Sequence, residues 1–543
     1  MNSQPMPNGR QINAYLALLL AVVCGIVAMV PMYVWGIPQG ADLDNHFRFA
    51  MPFFDELASG NFSPGWLAES NMGFGDARFR FYPPFIYYVL AAARYVTGEW
   101  YIATMAVFSL FSVTGTIGAY FWTKQNLTRN IAVASAAIFA ILPYHFAQFY
   151  QASLLAEFAA LSLLPVAFMF VGRISVSKRF SPLDIAGLGV SFGLIVITHL
   201  PTMIIGSLSL GVFALLSTDW KRSKRTLAFA AIGIAFGLLL SSFFWVEMLT
   251  ELPWIQAGHK VTSAYYDYRN NFLFSPFSAT NLNNWFGSFV AAMTVGLLLP
   301  SVFVLKAIFF GKQKITTEHT ESTERSGAET LRPAVIIAII AFLMTTDLSR
   351  PVWWVVPRLA DIQFPFRWLS VASVAICPVA AYSLYIFWER VREKKVSPLH
   401  VVVVLIAAAA AIYSIKELAI DSTFLDRTAF TERIESVRRG PSFPDWLPVG
   451  AAELKDLKPM DGPIDPNGRE VISTNIQTHH RRFTLTAGQP TEVRIRTYYY
   501  PLWQATVTTA NSTTKAQTKP AEDGTLLVTV LAESCEVSVD FVK

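Results

Sequence analysis

Asp42, Asp44 and His46 fall within five residues, in Gly40-Ala-Asp-Leu-Asp-Asn-His46, directly after the first long apolar run of the chain. A carboxylate at such a place can take the proton of an acceptor hydroxyl and make its oxygen a better nucleophile. Two carboxylates at i and i+2 are also hard oxygen ligands of the kind that suit a divalent cation, magnesium or manganese. The same spacing fits a purely structural role, with Asp44 as the N-cap of a helix that begins before Phe47.

Other ionisable residues sit near the ends of apolar runs. Glu157 opens the run Leu154–Val171, where a carboxylate facing lipid would be costly, so it is expected to face protein or water. His145, in Pro143-Tyr-His145, fits either a ligand role or an interfacial polar tip. His199, in Thr198-His-Leu-Pro201, and Glu247 fit catalysis and helix-to-helix hydrogen bonding equally. Arg269, in Tyr265-Tyr-Asp-Tyr-Arg269, and Arg367, beside Phe366 and Trp368, fit bidentate capture of a lipid phosphate or snorkelling at an aromatic belt.

The elements that position these residues are membrane helices. With 53% hydrophobic and 15% charged residues in 543, the composition is that of a polytopic membrane protein. The first apolar run, about Ile12 to Trp35, is long enough to cross a bilayer, has no small-residue cleavage site after it, and is read as retained. Further runs lie near Tyr101–Trp122, Ile131–Phe149, Leu154–Val171, Leu183–Leu200, Met203–Leu216, Leu227–Met248, Phe286–Phe310, Pro333–Met344, Trp368–Trp388 and Leu399–Ile415. That predicts about eleven spans, and up to thirteen.

Five connecting segments are basic: Lys124–Arg129, Arg173–Arg179, Lys221–Arg225, Lys312–Arg332 and Arg390–Lys395. The positive-inside rule puts them in the cytoplasm together with the N-terminus, and puts the first loop (36–100) and the tail outside, provided Pro83–Gly98 makes no full crossing. Pro83–Gly98 and Phe47–Ser59 then read as interfacial helices. From Asp421 onward, alternating stretches such as Glu492-Val-Arg-Ile-Arg-Thr-Tyr and Glu536-Val-Ser-Val-Asp-Phe predict a β-sandwich, dividing the chain into a membrane domain (1–420) and an outer β-rich domain (421–543).

The three cysteines, Cys24, Cys377 and Cys535, are too scattered for a disulfide framework or a zinc pair. A net charge of +5, spread over short loops, argues against nucleic-acid binding. There is no GxxxxGK[ST] and no GxGxxG after a strand, so an activated donor has to come from the membrane.

Taken in order, Gly40–His46, Pro64-Gly-Trp66, Gly73-Phe-Gly75, Phe81-Tyr-Pro-Pro-Phe-Ile-Tyr-Tyr88, Pro143-Tyr-His145, Leu155-Ala-Glu157, His199-Leu-Pro201, Gln363-Phe-Pro-Phe-Arg367 and Tyr499-Tyr-Pro-Leu-Trp503 resemble a membrane-protein family. It is the family described as 6-pyruvoyl-tetrahydropterin synthase-related, which looks like a branch of the GT-C lipid-linked glycosyltransferases. Gln151 departs from the pattern, standing where relatives often carry Arg. The resemblance implies a polytopic α-helical, GT-C-like membrane domain with a catalytic aspartate just past the first span, falling on Asp42 with Asp44 as a rival.

It implies transfer of a sugar from a polyprenyl-phosphate donor to a hydroxyl of an envelope glycan, lipid or protein, at the outer face of a bacterial inner membrane. His46 and Glu157 would orient groups or bind a metal, while Arg367, with His145, Tyr82, His199 and Arg269, would hold substrate or lipid phosphate. The rival classes are a flippase for lipid-linked glycan, for which no paired half-helices or internal symmetry are visible, and a non-catalytic envelope-assembly factor. Sugar, acceptor, metal dependence and oligomeric state are left open.

Overall fold

A computed structural model describes residues 12–177, 180–218, 220–256, 264–277, 282–305, 319–441 and 443–542. Residues 178–179 of one expected basic loop, and 312–318 of another, lie outside the described residues. The chain divides into two units: Met1–Leu43, Val96–Ser241 and Thr262–Thr428 form the first, and Asp44–Tyr95, Ser242–Val261 and Ala429–Lys543 the second.

The first unit is a helical bundle. Asn13 caps its first helix, Ala14–Ala28, through its side-chain oxygen, which accepts from the Tyr15 amide at 2.8 Å. The expected single run to Trp35 is broken at Met29, and a short helix Val30–Trp35 follows. Pro31 accounts for the break, since it lacks the amide and its ring meets the carbonyl of the preceding turn. Ala17, Ala21, Gly25 and Ala28 form the buried face of the first helix, and the Ser112 hydroxyl from Trp100–Lys124 donates to the Gly25 carbonyl at 2.9 Å. Small residues on one face let two apolar helices approach closely.

Five helices among the described residues are long and apolar enough to cross a membrane: Trp100–Lys124, Leu155–Val176, Phe286–Leu305, Pro365–Arg392 and Pro398–Ile420. Two interrupted runs raise this to seven: Arg129–Ala140 with Pro143–Gln151, bent by 42°, and Lys224–Leu240 with Ser242–Trp254. Ala14–Ala28, Pro182–Val196 and Leu200–Leu216 are apolar but shorter. The expectation of about eleven spans counted each apolar run as one crossing, whereas prolines and turns cut several of those runs.

The second unit holds most of two helices where the first loop was expected to carry them, Leu43–Ala58, whose first residue belongs to the other unit, and Phe85–Thr97, whose last two residues do. The thirteen residues of Phe85–Thr97 are too few for a span. Its β-rich tail forms two antiparallel sheets. In one, Thr491–Tyr498 and Thr525–Val530 are central; in the other, Cys535–Phe541 lies between His480–Leu485 and Trp503–Thr508. Alternate residues such as Val537, Val539, Phe483, Val493 and Val528 point into one core, as period-2 patterning requires.

That core is not made by the tail alone. Trp66, Phe74 and Phe81 from the first loop, and Ile255, are buried in it. The Trp66 ring meets Trp503 edge-on at 5.4 Å, a favoured arrangement for aromatic quadrupoles.

The turn before Thr525–Val530 is pinned by Asp523. One of its oxygens accepts from the Thr525 amide at 3.2 Å and hydroxyl at 2.7 Å, while the other pairs with Arg494. Burial pushes its carboxyl up, but the Thr525 bonds and the Arg494 charge outweigh this and hold it below the usual carboxylate range. Its stabilisation is therefore fully present above about pH 4 and is lost as pH falls through the lowered value. Asp523→Asn leaves Arg494 without its charge partner and is expected to destabilise this unit by about 2–3 kcal/mol, read as a lower thermal midpoint near pH 7. The gap between variant and parent should shrink on acidification.

Candidate active site

Asp42 follows a tightly constrained strip of backbone. Ile37 and Pro38 pair antiparallel with Leu425 and Phe424. The Gly40 amide donates to the Ser153 hydroxyl at 3.0 Å, that hydroxyl donates to the Pro38 carbonyl at 3.0 Å, and the Asp42 amide donates to the Ala152 carbonyl at 2.9 Å. These bonds fix the Asp42 backbone while its side chain stays half-buried.

Gly40 is required here by close approach, since a Cβ would lie 2.3 Å from the Ser153 amide nitrogen. Ser153 itself sits at a left-handed φ of 50°. Gly40→Ala is expected to push these two strands of chain apart and cost about 1–3 kcal/mol, checked by thermal melting, with turnover falling further than stability accounts for.

The same stretch of chain builds a second constellation. Pro143 opens a short helix, and a π-turn over Ala147–Gln151 then resets the register before Leu155–Val176 begins. Glu157 lies in the first turn of that helix, an electrostatically favourable place for a carboxylate, and is 2% exposed. One of its oxygens accepts from the Tyr144 hydroxyl at 2.7 Å and from Gln148 Nε2 at 2.9 Å. The other accepts from Arg367 Nε at 3.1 Å and stands 3.9 Å from His199 Nε2.

Arg367 lies on the 3-10 turn Pro365–Trp368, just after Gln363 at a left-handed φ of 66°. Its Nη1 donates to the Ile362 carbonyl at 2.6 Å and its guanidinium lies over the Phe364 ring at 4.9 Å. Nη2 is engaged by no described residue. Glu157 is thus fully subscribed and closed to solvent, whereas Arg367 is held through Nε and Nη1 with donor capacity left on Nη2. This is the arrangement of a guanidinium positioned for an oxyanion. Glu157 is better suited to holding Arg367 than to shuttling protons.

The structure brings together Glu157, Arg367 and His199 from three distant parts of the sequence. His199 also caps Leu200–Leu216, its Nδ1 lying 2.8 Å from Thr202 Oγ1. His145 is not part of the constellation's bonding. It is fully buried and stacked on Phe158 at 4.5 Å, with no hydrogen-bond partner at either ring nitrogen among the described residues. Arg269 is mostly exposed and paired with Asp267 in its own turn. Gln151 donates to the Ser422 hydroxyl at 2.8 Å and the Glu417 carbonyl at 3.1 Å. Gln148 carries no obvious sequence signal, and only its spacing of four from Tyr144 hints at a shared helical face.

Three candidates belong to the other unit. Asp44 is in the first turn of Leu43–Ala58, two residues too late to be the N-cap, because the helix begins at Leu43. Arg433 grips both its oxygens, at 2.9 and 2.5 Å. A carboxylate so occupied does not fit a cation shared with Asp42, and no group of three His, Cys, Asp or Glu side chains suited to a metal occurs among the described residues. His46 is buried, with Nδ1 2.9 Å from the Tyr87 hydroxyl. Tyr82 packs edge-on against Phe49 and Trp446. This unit also contains an unforeseen buried ion pair, Arg80 with Glu251, to which the Tyr500 hydroxyl donates at 2.7 Å.

No curated protein matches the sequence. Among solved structures, the chain is similar to ArnT from Cupriavidus metallidurans bound to undecaprenyl phosphate, with a TM-score of 0.46 and 15% identity over 79% of this chain and 70% of that one. It is similar to the Archaeoglobus fulgidus oligosaccharyltransferase, with a TM-score of 0.46 and 14% identity over 76% of this chain and 57% of that one. For the arabinosyltransferase EmbB from Mycobacterium smegmatis the values are 0.35 and 12%, over 99% of this chain and 64% of that one. The chain thus spans less than two thirds of the length of the last two. Residues 79–425, well over half the sequence and including Glu157 and Arg367, match the family described as 6-pyruvoyl-tetrahydropterin synthase related domain, membrane protein, and the chain belongs to that family.

Proposed function

We propose that this protein is a GT-C type membrane glycosyltransferase that moves a sugar from a polyprenyl-phosphate donor to an acceptor hydroxyl at the outer face of a bacterial inner membrane. The observation that carries the reading is that one stretch, residues 143–157, serves both reacting ends. Its Ala152 carbonyl holds the Asp42 backbone, and its Tyr144, Gln148 and Glu157 build the support of Arg367. In this reading Asp42 takes the proton of the acceptor hydroxyl as that oxygen bonds to the anomeric carbon. The bond from that carbon to the phosphate oxygen breaks with inversion, and polyprenyl phosphate leaves with the bonding electrons. Arg367 meets the charge that develops on the leaving phosphate, where a fixed cation lowers the barrier most.

The outward orientation is supported by the helix ends. Glu157 and Arg367 lie at the starts of Leu155–Val176 and Pro365–Arg392, while Arg173, Arg390 and Arg392 lie in the last turns of the same helices. With the basic ends in the cytoplasm, the cluster falls on the opposite side. Donor chemistry borne by the membrane agrees with the lack of a nucleotide-binding motif.

The test is release of polyprenyl phosphate from a labelled polyprenyl-phosphate sugar by the purified chain in detergent, with an envelope extract as acceptor. Release that requires the acceptor supports transfer. Absence of release, with the labelled lipid instead translocated in proteoliposomes, replaces the reading with a flippase.

A further inference from the structure

The second unit contains an open-sided cavity of about 350 Å³ lined by Met72, Glu435, Ser436, Arg438, Arg439 and Gly440. The transfer chemistry makes no use of it. Its surroundings are rich in guanidinium groups. Arg438 pairs with Asp55 and stands 3.5 Å from Glu69 and 3.8 Å from Glu435. Arg439 stands 3.6 Å from the same Glu69 oxygen. Behind Gly440 lies Arg48, its Nε only 3.0 Å from where a Cβ on that glycine would sit. Beside Met72 lies Arg496, whose Nη2 donates to the Met72 carbonyl at 3.0 Å. Neither Arg48 nor Arg496 has a carboxylate within 4 Å among the described residues.

Four cations, Arg48, Arg438, Arg439 and Arg496, are therefore gathered with three carboxylates, Asp55, Glu69 and Glu435. Burial and the nearby Arg78 charge hold Arg48 below its usual pKa, against a smaller opposing pull from Asp44. The buried Nε atoms of Arg48 and Arg496 have no hydrogen-bond partner among the described residues, whereas that of Arg438 faces Glu69 Oε2 at 3.5 Å. Buried donors are nearly always satisfied, so two such atoms, lying just behind the walls of one cavity, call for an acceptor. The backbone is also strained at its edge. Asn71 and Met72 both adopt left-handed conformations, at φ 53° and 56°, held by bonds from Asn71 to Gly75 and Asp76 and from the Met72 amide to the Arg439 carbonyl. Such strain is retained where the surroundings over-determine it, often at ligand clamps.

We propose that this cavity binds a phosphate group, with Arg48, Arg439 and Arg496 supplying charge-assisted hydrogen bonds. Guanidinium donors match phosphate oxygens in both charge and spacing. The phosphate belongs either to a lipid headgroup or to a soluble phosphorylated ligand, and the two sources are separable.

The test titrates the full chain in detergent with inorganic phosphate and, separately, with dihexanoyl phosphatidic acid. It is run in the Arg367→Gln background, so that phosphate captured at the proposed transfer site does not contribute and the outcome is independent of that reading. Arg439→Gln, at a side chain 66% exposed and so replaceable without a fold penalty, and Arg48→Gln are each expected to weaken binding about tenfold or more. Binding of both probes supports the site with a soluble source. Binding of phosphatidic acid alone supports it with a lipid source. Binding of neither, or equal binding by parent and Arg439→Gln, overturns the proposal.

Discussion

Asp42→Asn is expected to lower the turnover of the proposed sugar transfer by about 10²–10⁴-fold, the range for removal of a positioned general base. The loss should appear in kcat, with lipid-donor binding little changed, because Asn preserves shape and the backbone bonds to Ala152 and Ser153 do not involve the side chain. Asp44→Asn is the informative contrast. Its carboxylate is committed to Arg433, and loss of a partly exposed pair costs about 1 kcal/mol or less of stability. Turnover should stay within about threefold of the parent. The reverse order of effects, with Asp44→Asn inactive and Asp42→Asn near normal, would reassign the base.

Arg367→Gln is expected to lower kcat by about 10²–10³-fold, as for removal of one fixed group that stabilises developing negative charge. Arg367→Lys should recover little, because a lysine ammonium lacks the planar fork whose Nε and Nη1 reach Glu157 and the Ile362 carbonyl while Nη2 remains to donate elsewhere. In the proposed mechanism Glu157 acts through this guanidinium, so Glu157→Gln should also be impaired, and combining it with Arg367→Gln should add little further loss. An independent proton-transfer role for Glu157 would make the two losses multiply. Its pH–rate profile offers a second readout: a positioning residue leaves the apparent pKa values of the parent in place.

Much of the local structure was legible from spacing alone. The apolar positions Phe47, Met51 and Phe54 recur at helical intervals, and Leu43–Ala58 is a helix. The prolines before Phe85 mark a helix start, and alternation in Glu536–Phe541 marks a strand whose odd positions are buried. Placing Glu157 against protein followed from the cost of a charge in lipid, and it is 2% exposed.

Pairings between distant segments were not legible. Glu157 and Arg367 are 210 residues apart, and Asp44 and Arg433 are 389 apart, with no local pattern linking either pair. Gln148 was missed because the π-turn over Ala147–Gln151 shifts the helical register on which spacing arguments depend. Trp66, Phe74 and Phe81 lie in turns without periodicity, so nothing local announced that they complete the β-core. Among the described residues, the eleven apolar runs did not become eleven long helices, since hydropathy windows average across breaks such as the one before Pro31.

The most direct test of the central claim is a structure of the full chain with polyprenyl phosphate bound. The account predicts a phosphate oxygen within hydrogen-bond distance of Arg367 Nη2, about 2.7–2.9 Å, with the Asp42 carboxylate facing the same pocket. A lipid phosphate seated away from Arg367, or a pocket that excludes Asp42, would contradict it.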